Sequence, residues 1–169
     1  MSRITVDIDL NRVEGDLEFQ VDLEDGVVVD ARCVGTLYRG FEQIMIGRAP
    51  RDALVITPRV CGICGTAHLY AATLALEQIA HITPPAHAVQ VRNLCLMAET
   101  LQSDLRQSFL FFTPDFCNAI YAAHPLAAEL RDAFTPLKGS VVRGTLKATR
   151  DVLGIVALFG GQWPHSTYM

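Results

Sequence analysis

Apolar and polar residues alternate one by one between residues 17 and 24. Successive side chains of a β-strand point to opposite faces, so this period of two indicates a strand with one buried face. Asp25-Gly26 follows, which is a signal for a two-residue hairpin turn. Val27-Val28-Val29 then supplies β-branched residues that favour a second strand. We therefore predict antiparallel strands within residues 4–34.

The pattern becomes helical after Gly40, where prolines and glycines divide the chain into segments. One segment, residues 65–80, is apolar on nearly every side, which is typical of a buried helix. Ser140 is placed to cap a last helix that stops at Gly160-Gly161. The predicted helices cover residues 41–47, 49–56, 65–80, 86–112 and 140–159.

The predicted fold class is α+β and mainly helical, with an antiparallel sheet in residues 1–36 and long buried helices in residues 37–169. Hydrophobic residues make up 50% of the 169 residues, charged residues 19%, and the mean hydropathy is +0.27. So apolar a chain is expected to bury much of its surface against a partner. The net charge of −4 argues against nucleic-acid binding, which needs a basic stripe.

The sequence shows neither a membrane span nor a secretion signal. It has no apolar stretch of about 18 residues, the length a spanning helix needs, and its first residues contain no apolar signal segment. We expect a cytoplasmic protein, with any membrane association made through partner subunits. Its five cysteines are an odd number, which favours reduced thiols over a disulfide framework.

Cys61 and Cys64 form a Cys-x-x-Cys pair in the stretch Arg59-Val60-Cys61-Gly62-Ile63-Cys64-Gly65-Thr66-Ala67-His68. Two intervening residues allow both sulfurs to turn toward one point, and the glycines permit tight backbone turns. Thiolates are soft ligands that suit zinc, iron–sulfur clusters, nickel or copper. His68 lies one helical turn after Cys64, from where its ring can donate a hydrogen bond to that sulfur.

A structural zinc half-site and a thioredoxin-like redox pair are the alternative interpretations of this pair. Structural zinc needs four ligands, and the chain has no second Cys-x-x-Cys. A redox pair of that kind occurs in a βαβ context, whereas this pair precedes a predicted buried helix in a mainly helical region. Both alternatives fit the sequence poorly.

Four motifs resemble, in the same order, those of nickel–iron hydrogenase large subunits. They are Arg12-Val13-Glu14-Gly15, Arg39-Gly40-Phe41-Glu42, Arg59-x-Cys61-Gly62-x-Cys64-x-x-x-His68 and Gly160-Gly161-x-x-Pro164-His165. Together they extend over nearly the whole chain, which therefore resembles the N-terminal part of such a subunit. The resemblance implies part of an oxidoreductase that cleaves H₂ reversibly into protons and electrons.

The resemblance also implies a role for each matching residue of the cysteine motif. Cys61 would be a terminal ligand of nickel, and Cys64 would bridge nickel and an iron atom that carries CO and CN ligands. His68 would hydrogen-bond the bridging sulfur, and Arg59 would belong to the same pocket. From the residues alone, Arg59 can equally be a structural ion-pair partner.

Two glutamates receive roles from the resemblance as well. Glu14 would be the proton gate beside the nickel thiolates, and Glu42 would ligate a structural Mg²⁺, a hard cation that suits carboxylate oxygen. The residues alone also allow plainer roles. Glu14 can be a solvated carboxylate beside Arg12, and Glu42 can pair with Arg39 across one helical turn.

The sequence departs from the family pattern at two places. Many members carry histidines late in the long helix, where Asp104 and Gln107 stand here. The family's second cysteine pair is absent, and the family's centre needs four thiolates. We therefore expect a second polypeptide, resembling the C-terminal part of the large subunit, that brings a second Cys-x-x-Cys. An iron–sulfur small subunit is expected to carry the electrons.

Two other functions fit the residues less well. A metal-free hydrogenase-like subunit of a respiratory complex would lack the pair formed by Cys61 and Cys64. A structural zinc or interaction module would need further ligands or a different context. The metal bound by the purified complex distinguishes the three functions, because each predicts a different elemental content.

Overall fold

The computed structural model describes residues 2–168 and confirms the α+β, mainly helical fold class. The chain forms two compact units, one that ends at Gly40 and one that begins at Phe41. The sequence placed the boundary slightly earlier, after residue 36. The first unit contains the strands and the second contains the helices, so each is described by itself.

The first unit is a three-stranded antiparallel sheet in the order β1-β2-β3. Its strands are Arg3–Leu10 (β1), Leu17–Glu24 (β2) and Val27–Gly35 (β3). The predicted hairpin is confirmed, with Asp25 and Gly26 both at positive φ in the turn between β2 and β3. The register of β1 and β2 places apolar residues opposite each other, as with Val6 and Val21. One face of the sheet is therefore apolar and the other polar.

The residue of this sheet that is buried most deeply is polar, contrary to the expectation of a buried apolar face. Asp22 is 3% exposed. Its carboxylate accepts hydrogen bonds from the Thr5 hydroxyl at 2.7 Å, from Arg3 at 2.9 Å and from Arg32 at 3.0 Å. The long arginine stems can cover the carboxylate while their head groups pair with it. Ile4 and Ile8, on the apolar face, remain exposed.

Six α-helices form the second unit. They are Phe41–Met45 (α1), Ala53–Ile56 (α2), Gly65–Ala80 (α3), Ala86–Arg106 (α4), Ala127–Phe134 (α5) and Ser140–Gly160 (α6). Short 3₁₀ turns lie at Pro50–Asp52, Thr57–Arg59, Thr113–Cys117 and Ala119–Tyr121. No helix among residues 2–168 is both long and apolar enough to cross a membrane.

Three helix predictions need correction. The long helix predicted to residue 112 is α-helical only to Arg106, and Gln107–Phe112 is a π-helical segment with one more residue per turn. The last helix is preceded by Gly139 as N-cap without a side-chain hydrogen bond, so Ser140 is its first residue and not its cap. Helix α3 is not buried on all sides, because Leu74 and Ile79 are exposed.

The core of the second unit lies between α4 and α6. Cys95 and Ala98 of α4 are buried against Leu153 and Val156 of α6. Trp163 and Tyr168, from the segment after α6, pack on the same cluster, and the Gly161 left-handed C-cap allows the chain to turn back there. Consequently α4 is fixed in place behind the start of α3.

We predict that Asp22→Asn loosens the sheet at neutral pH. The hydrogen bond from Thr5, then that from Arg3, hold the pKa of Asp22 below its ordinary value of 3.8. A lowered folded-state pKa contributes stability that is complete well above 3.8 and is lost as the pH falls through the lower folded value. Amide exchange in β1 and β2 should therefore be faster in the variant at neutral pH, and the two proteins should converge in acid.

Asp30→Asn is the matched control for this test. Asp30 lies opposite Asp22 in the register, and its carboxylate is 3.8 Å from Arg32 and largely exposed. An exposed ion pair contributes little, so this control should exchange like the wild type. Equal protection of wild type and Asp22→Asn at neutral pH would contradict the role of Asp22.

Candidate functional site

The Cys-x-x-Cys pair lies in a tight loop between a 3₁₀ turn and α3. Pro58 starts the turn Thr57–Arg59, and its carbonyl lies against the first residue of α3. A Cβ on Gly65 would stand 3.0 Å from that carbonyl oxygen, closer than side chains normally approach. Gly65 therefore permits the close approach that folds the loop onto the start of the helix.

Neither cysteine of the loop forms a disulfide, and both residues are half-buried. The Cys64 backbone N–H donates a hydrogen bond to the Cys61 sulfur at 3.2 Å. Cys64 occupies the N-cap position of α3, with φ −116° and ψ 27°, and its side chain makes no capping hydrogen bond. The pair is thus reduced and folded as one unit, while convergence of the two sulfurs on one metal stays a prediction.

His68 is held one helical turn after the pair. Its N–H donates to the Cys64 carbonyl at 3.4 Å, and its own carbonyl accepts the Thr57 hydroxyl at 3.2 Å. The backbone position therefore agrees with the sequence interpretation. The hydrogen bond from its imidazole to the Cys64 sulfur stays a prediction.

The segment after α6 returns to the cysteine loop. His165 contacts the Pro58 carbonyl through Nδ1 at 2.8 Å, which requires the tautomer with a proton on that nitrogen. The His165 carbonyl in turn accepts hydrogen bonds from Arg59 at 3.4 Å and from Gln162 at 2.8 Å. The structure thus brings the last of the four motifs against the cysteine motif. Arg59 acts here through a carbonyl rather than an ion pair.

Helix α4 supports the loop from the protein interior with residues that the sequence analysis did not select. Both carboxylate oxygens of Glu99 accept backbone N–H groups, from Thr66 and Ala67, at 2.8 Å each. The Gln102 amide lies at the long limit of a hydrogen bond, 3.5 Å, from the Ile63 carbonyl. The position of Glu99 on the apolar stripe of a helix was the sequence signal for this support. Its hydrogen-bond partners, Thr66 and Ala67, are too distant in the sequence to be recognised from it.

Several further polar groups are buried beneath the loop. Burial raises the pKa of the Cys95 thiol and, more strongly, that of the Tyr168 hydroxyl, and the charge of Glu99 acts in the same direction on both. The Thr66 hydroxyl and the Gln102 carbonyl oxygen are buried without a hydrogen-bond partner in the described structure. The interior side of the loop is therefore polar rather than a simple apolar core.

The two predicted glutamates lie elsewhere in the chain. Glu14 is exposed in the connection between β1 and β2, where Arg12 and Gly15 both have positive φ and bend the backbone sharply. Glu42 is exposed in the first turn of α1. Their roles stay predictions. Asp104 ends up exposed in the last turn of α4, and Gln107 begins the π-helical segment.

The remaining cysteines and histidines lie in different environments. Cys95 is buried, Cys117 is half-buried and Cys33 is exposed on β3. His81, His87 and His124 are exposed. Within residues 2–168, no three His, Cys, Asp or Glu side chains are grouped so that they could hold a metal ion.

A family model described as nickel-dependent hydrogenase matches residues 39–139. The periplasmic [NiFeSe] hydrogenase large subunit of Desulfomicrobium baculatum is 34% identical over 96% of this chain, which covers 35% of that protein. The hydrogenase-2 large chain of Escherichia coli K12 is 36% identical over 81% of this chain, which covers 24% of that protein.

Solved structures agree with these sequence matches. The Ni-Fe-Se hydrogenase of D. vulgaris Hildenborough in the as-isolated oxidized state superposes with a TM-score of 0.75 at 38% identity. The match covers 98% of this chain and 36% of that one. The chain thus spans about a quarter to a third of the length of these curated relatives.

We predict that His165→Ala loosens the cysteine loop, because it frees the Pro58 carbonyl and releases the segment after α6. A lost hydrogen bond of this kind costs about 1 kcal/mol. Amide exchange within residues 57–64 should become faster in the purified protein. His87→Ala is the control, since His87 is exposed and its ring contacts Gln90 of its own helix. If amide exchange within residues 57–64 were unchanged in His165→Ala, the contact between His165 and the Pro58 carbonyl would not be what orders the loop.

Proposed function

The chain belongs to the nickel-dependent hydrogenase family, and from that premise we propose that it supplies one half of a nickel–iron hydrogenase site. Cys61 and Cys64 are the two thiolates it contributes. The observation that carries the proposal is the loop at the start of α3, in which the two cysteines form no disulfide and the Cys61 sulfur accepts the Cys64 N–H. The reaction is the reversible cleavage of H₂ into protons and electrons.

The residues present fit one half of such a centre. Thiolate is a soft donor suited to nickel and iron, and the hydrogen bond from the Cys64 N–H to the Cys61 sulfur holds the two residues together. The loop leaves the Cys64 side chain outside the capping role its position usually has. Two thiols are too few for a four-thiolate centre, which agrees with the lack of a three-residue metal group within residues 2–168.

When bound, the nickel–iron pair supplies the Lewis acidity that polarises H₂. In this chain Cys61 would hold nickel and Cys64 would hold both nickel and an iron that carries CO and CN ligands. His68 would donate a hydrogen bond to the Cys64 sulfur and so fix its orientation. Arg59 holds the segment after α6 through the His165 carbonyl.

Glu14 is the proton carrier of the proposed site. A carboxylate can accept a proton from a thiol and return it to solvent, as a general base and then a general acid. The sharp backbone turn around Gly15 presents this side chain on a short connection. Glu42, in the first turn of α1, is the residue that would hold Mg²⁺, because carboxylate oxygen suits this hard cation.

The other half of the site comes from the part of a large subunit that this chain does not include. We place the second Cys-x-x-Cys on a second polypeptide and iron–sulfur clusters on a small subunit. The chain spans only about a quarter to a third of these relatives, and many large apolar side chains are exposed, Ile79 to 73% among them. Such surfaces are expected to be covered in the complete enzyme, which we place in the cytoplasm.

We predict that Cys61→Ser or Cys64→Ser lowers the nickel content of the purified complex to background and abolishes H₂ oxidation. A hydroxyl is a hard, weak donor that cannot replace thiolate. Elemental analysis for nickel, iron and zinc measures the effect. Cys117→Ser is the control and should keep wild-type nickel. Zinc instead of nickel in the wild-type complex would favour a structural zinc module. Absence of any metal would favour a metal-free subunit.

We predict that Glu14→Gln keeps wild-type nickel and iron but lowers H₂ oxidation by a factor on the order of 10² or more, the usual contribution of general acid–base catalysis. Gln has the same shape but cannot carry the proton. Elemental analysis and H₂ uptake with an artificial acceptor measure the two quantities. Glu18→Gln, on β2 of the same unit, is the control. Near-normal turnover in Glu14→Gln would refute the proton role.

A further inference from the structure

The first turn of α3 is capped by a side chain of another helix. Helix N-termini leave backbone N–H groups without partners inside the helix. Here the N–H groups of Thr66 and Ala67 donate to the two carboxylate oxygens of Glu99, both at 2.8 Å. Glu99 belongs to α4 and is 3% exposed, and Thr66 is 1% exposed, whereas Ala67 is exposed. Water therefore cannot replace the carboxylate at the Thr66 N–H.

The residue that normally makes these bonds is the N-cap, and here the N-cap is Cys64. Ser, Thr, Asp or Asn at that position would satisfy the same N–H groups locally. A cysteine whose sulfur binds a metal cannot do so. The capping function is thus moved from residue 64 to Glu99, and the Cys64 side chain makes no capping hydrogen bond.

We propose that Glu99 is a positioning residue for the Cys61–Cys64 site, which it orients by fixing the first turn of α3 on α4. This inference rests on the proposed nickel–iron function. Cys64 joins α3 through Gly65, so the direction of its sulfur depends on where that first turn lies. Two bonds from one carboxylate fix the turn in two directions, whereas a single bond would let it pivot.

Glu99 also places a negative charge at the positive end of the α3 dipole. A helix N-terminus stabilises a nearby thiolate and so makes it a weaker donor. The carboxylate offsets part of that effect and keeps the thiolate a strong donor. Replacing Glu99 by Gln, which keeps the shape but removes the charge, should therefore raise the midpoint potential of a metal held by Cys64. Without the negative charge, the reduced state of the metal is more stable relative to the oxidised state.

A second ion contact between the same two helices provides a matched control. Glu77 of α3 pairs with Arg92 of α4 at 2.6 Å, and both side chains are largely buried. This pair joins the helices near the C-terminal end of α3, away from the cysteines. A variant of Glu77 therefore weakens the same helix packing without touching the first turn.

The test compares Glu99→Ala, Glu99→Gln and Glu77→Gln in the complete complex isolated from its host. Nickel per complex is measured by elemental analysis, the Ni–S distances and their spread by X-ray absorption, and the nickel midpoint potential by a redox titration. Glu99→Ala should lower nickel content on the order of tenfold and broaden the Ni–S distances. Glu99→Gln should retain more nickel and show a raised midpoint potential. Glu77→Gln should match the wild type in all three, even where its thermal midpoint falls.

Wild-type nickel content, Ni–S distances and potential in both Glu99 variants would overturn the proposal. So would equal changes in Glu77→Gln, because helix packing alone would then explain them. If Glu99→Ala does not accumulate in the host, the measurements on Glu99→Gln test the proposal, since this variant keeps the size of the side chain and one acceptor oxygen. A wild-type complex without nickel would instead refute the proposed function, and this result is obtained before any variant is made.

Discussion

The N–H groups of Thr66 and Ala67 at the start of α3 depend on one carboxylate that lies 33 and 32 residues further along the chain. The Thr66 N–H is buried, and leaving it unpaired would cost about 1–3 kcal/mol, so the start of α3 depends on α4 behind it. Helix α4 is fixed in turn by Cys95 and Ala98 against α6. The segment after α6 then closes on the Pro58 carbonyl through His165. The cysteine loop is thus held between α4 and this returning segment.

The elements that depend on neighbouring residues were predictable from the sequence. The hairpin around Asp25-Gly26 follows from alternation and turn preference, and α3 follows from an apolar segment between breakers. The cysteine loop itself follows from spacing and glycine. The cap of α6 was mispredicted because Ser140 suits an N-cap intrinsically, whereas Gly139 already takes that place with a turn imposed by the preceding residues. The intrinsic capping preference of a residue does not distinguish between two neighbouring positions as the N-cap of a helix.

The supports of the site were not predictable, because they pair residues distant in the sequence. A glutamate in a helix is usually solvated. The residues next to Glu99 in the sequence do not indicate that its carboxylate accepts hydrogen bonds from the N–H groups of Thr66 and Ala67. Asp22 is a similar case, since its burial depends on Arg3 and Arg32 from two neighbouring strands. Periodicity indicates which residues share a face but not what covers that face. For this reason α3 was expected to be buried, although Leu74 and Ile79 are exposed in the described chain.

The proposed centre, whose four thiolates come as two pairs, would link metal binding to assembly. One pair alone would bind nickel weakly, since each missing thiolate removes a strong donor, and metal binding stabilises only the state that has the full ligand set. Under this proposal the free energy of nickel binding would become free energy of association between this chain and the part that carries the other pair. A rigid half-site reduces the entropy lost in such a step. The bonds of Glu99 and His165 order the loop within this chain, so they would favour assembly as well as geometry.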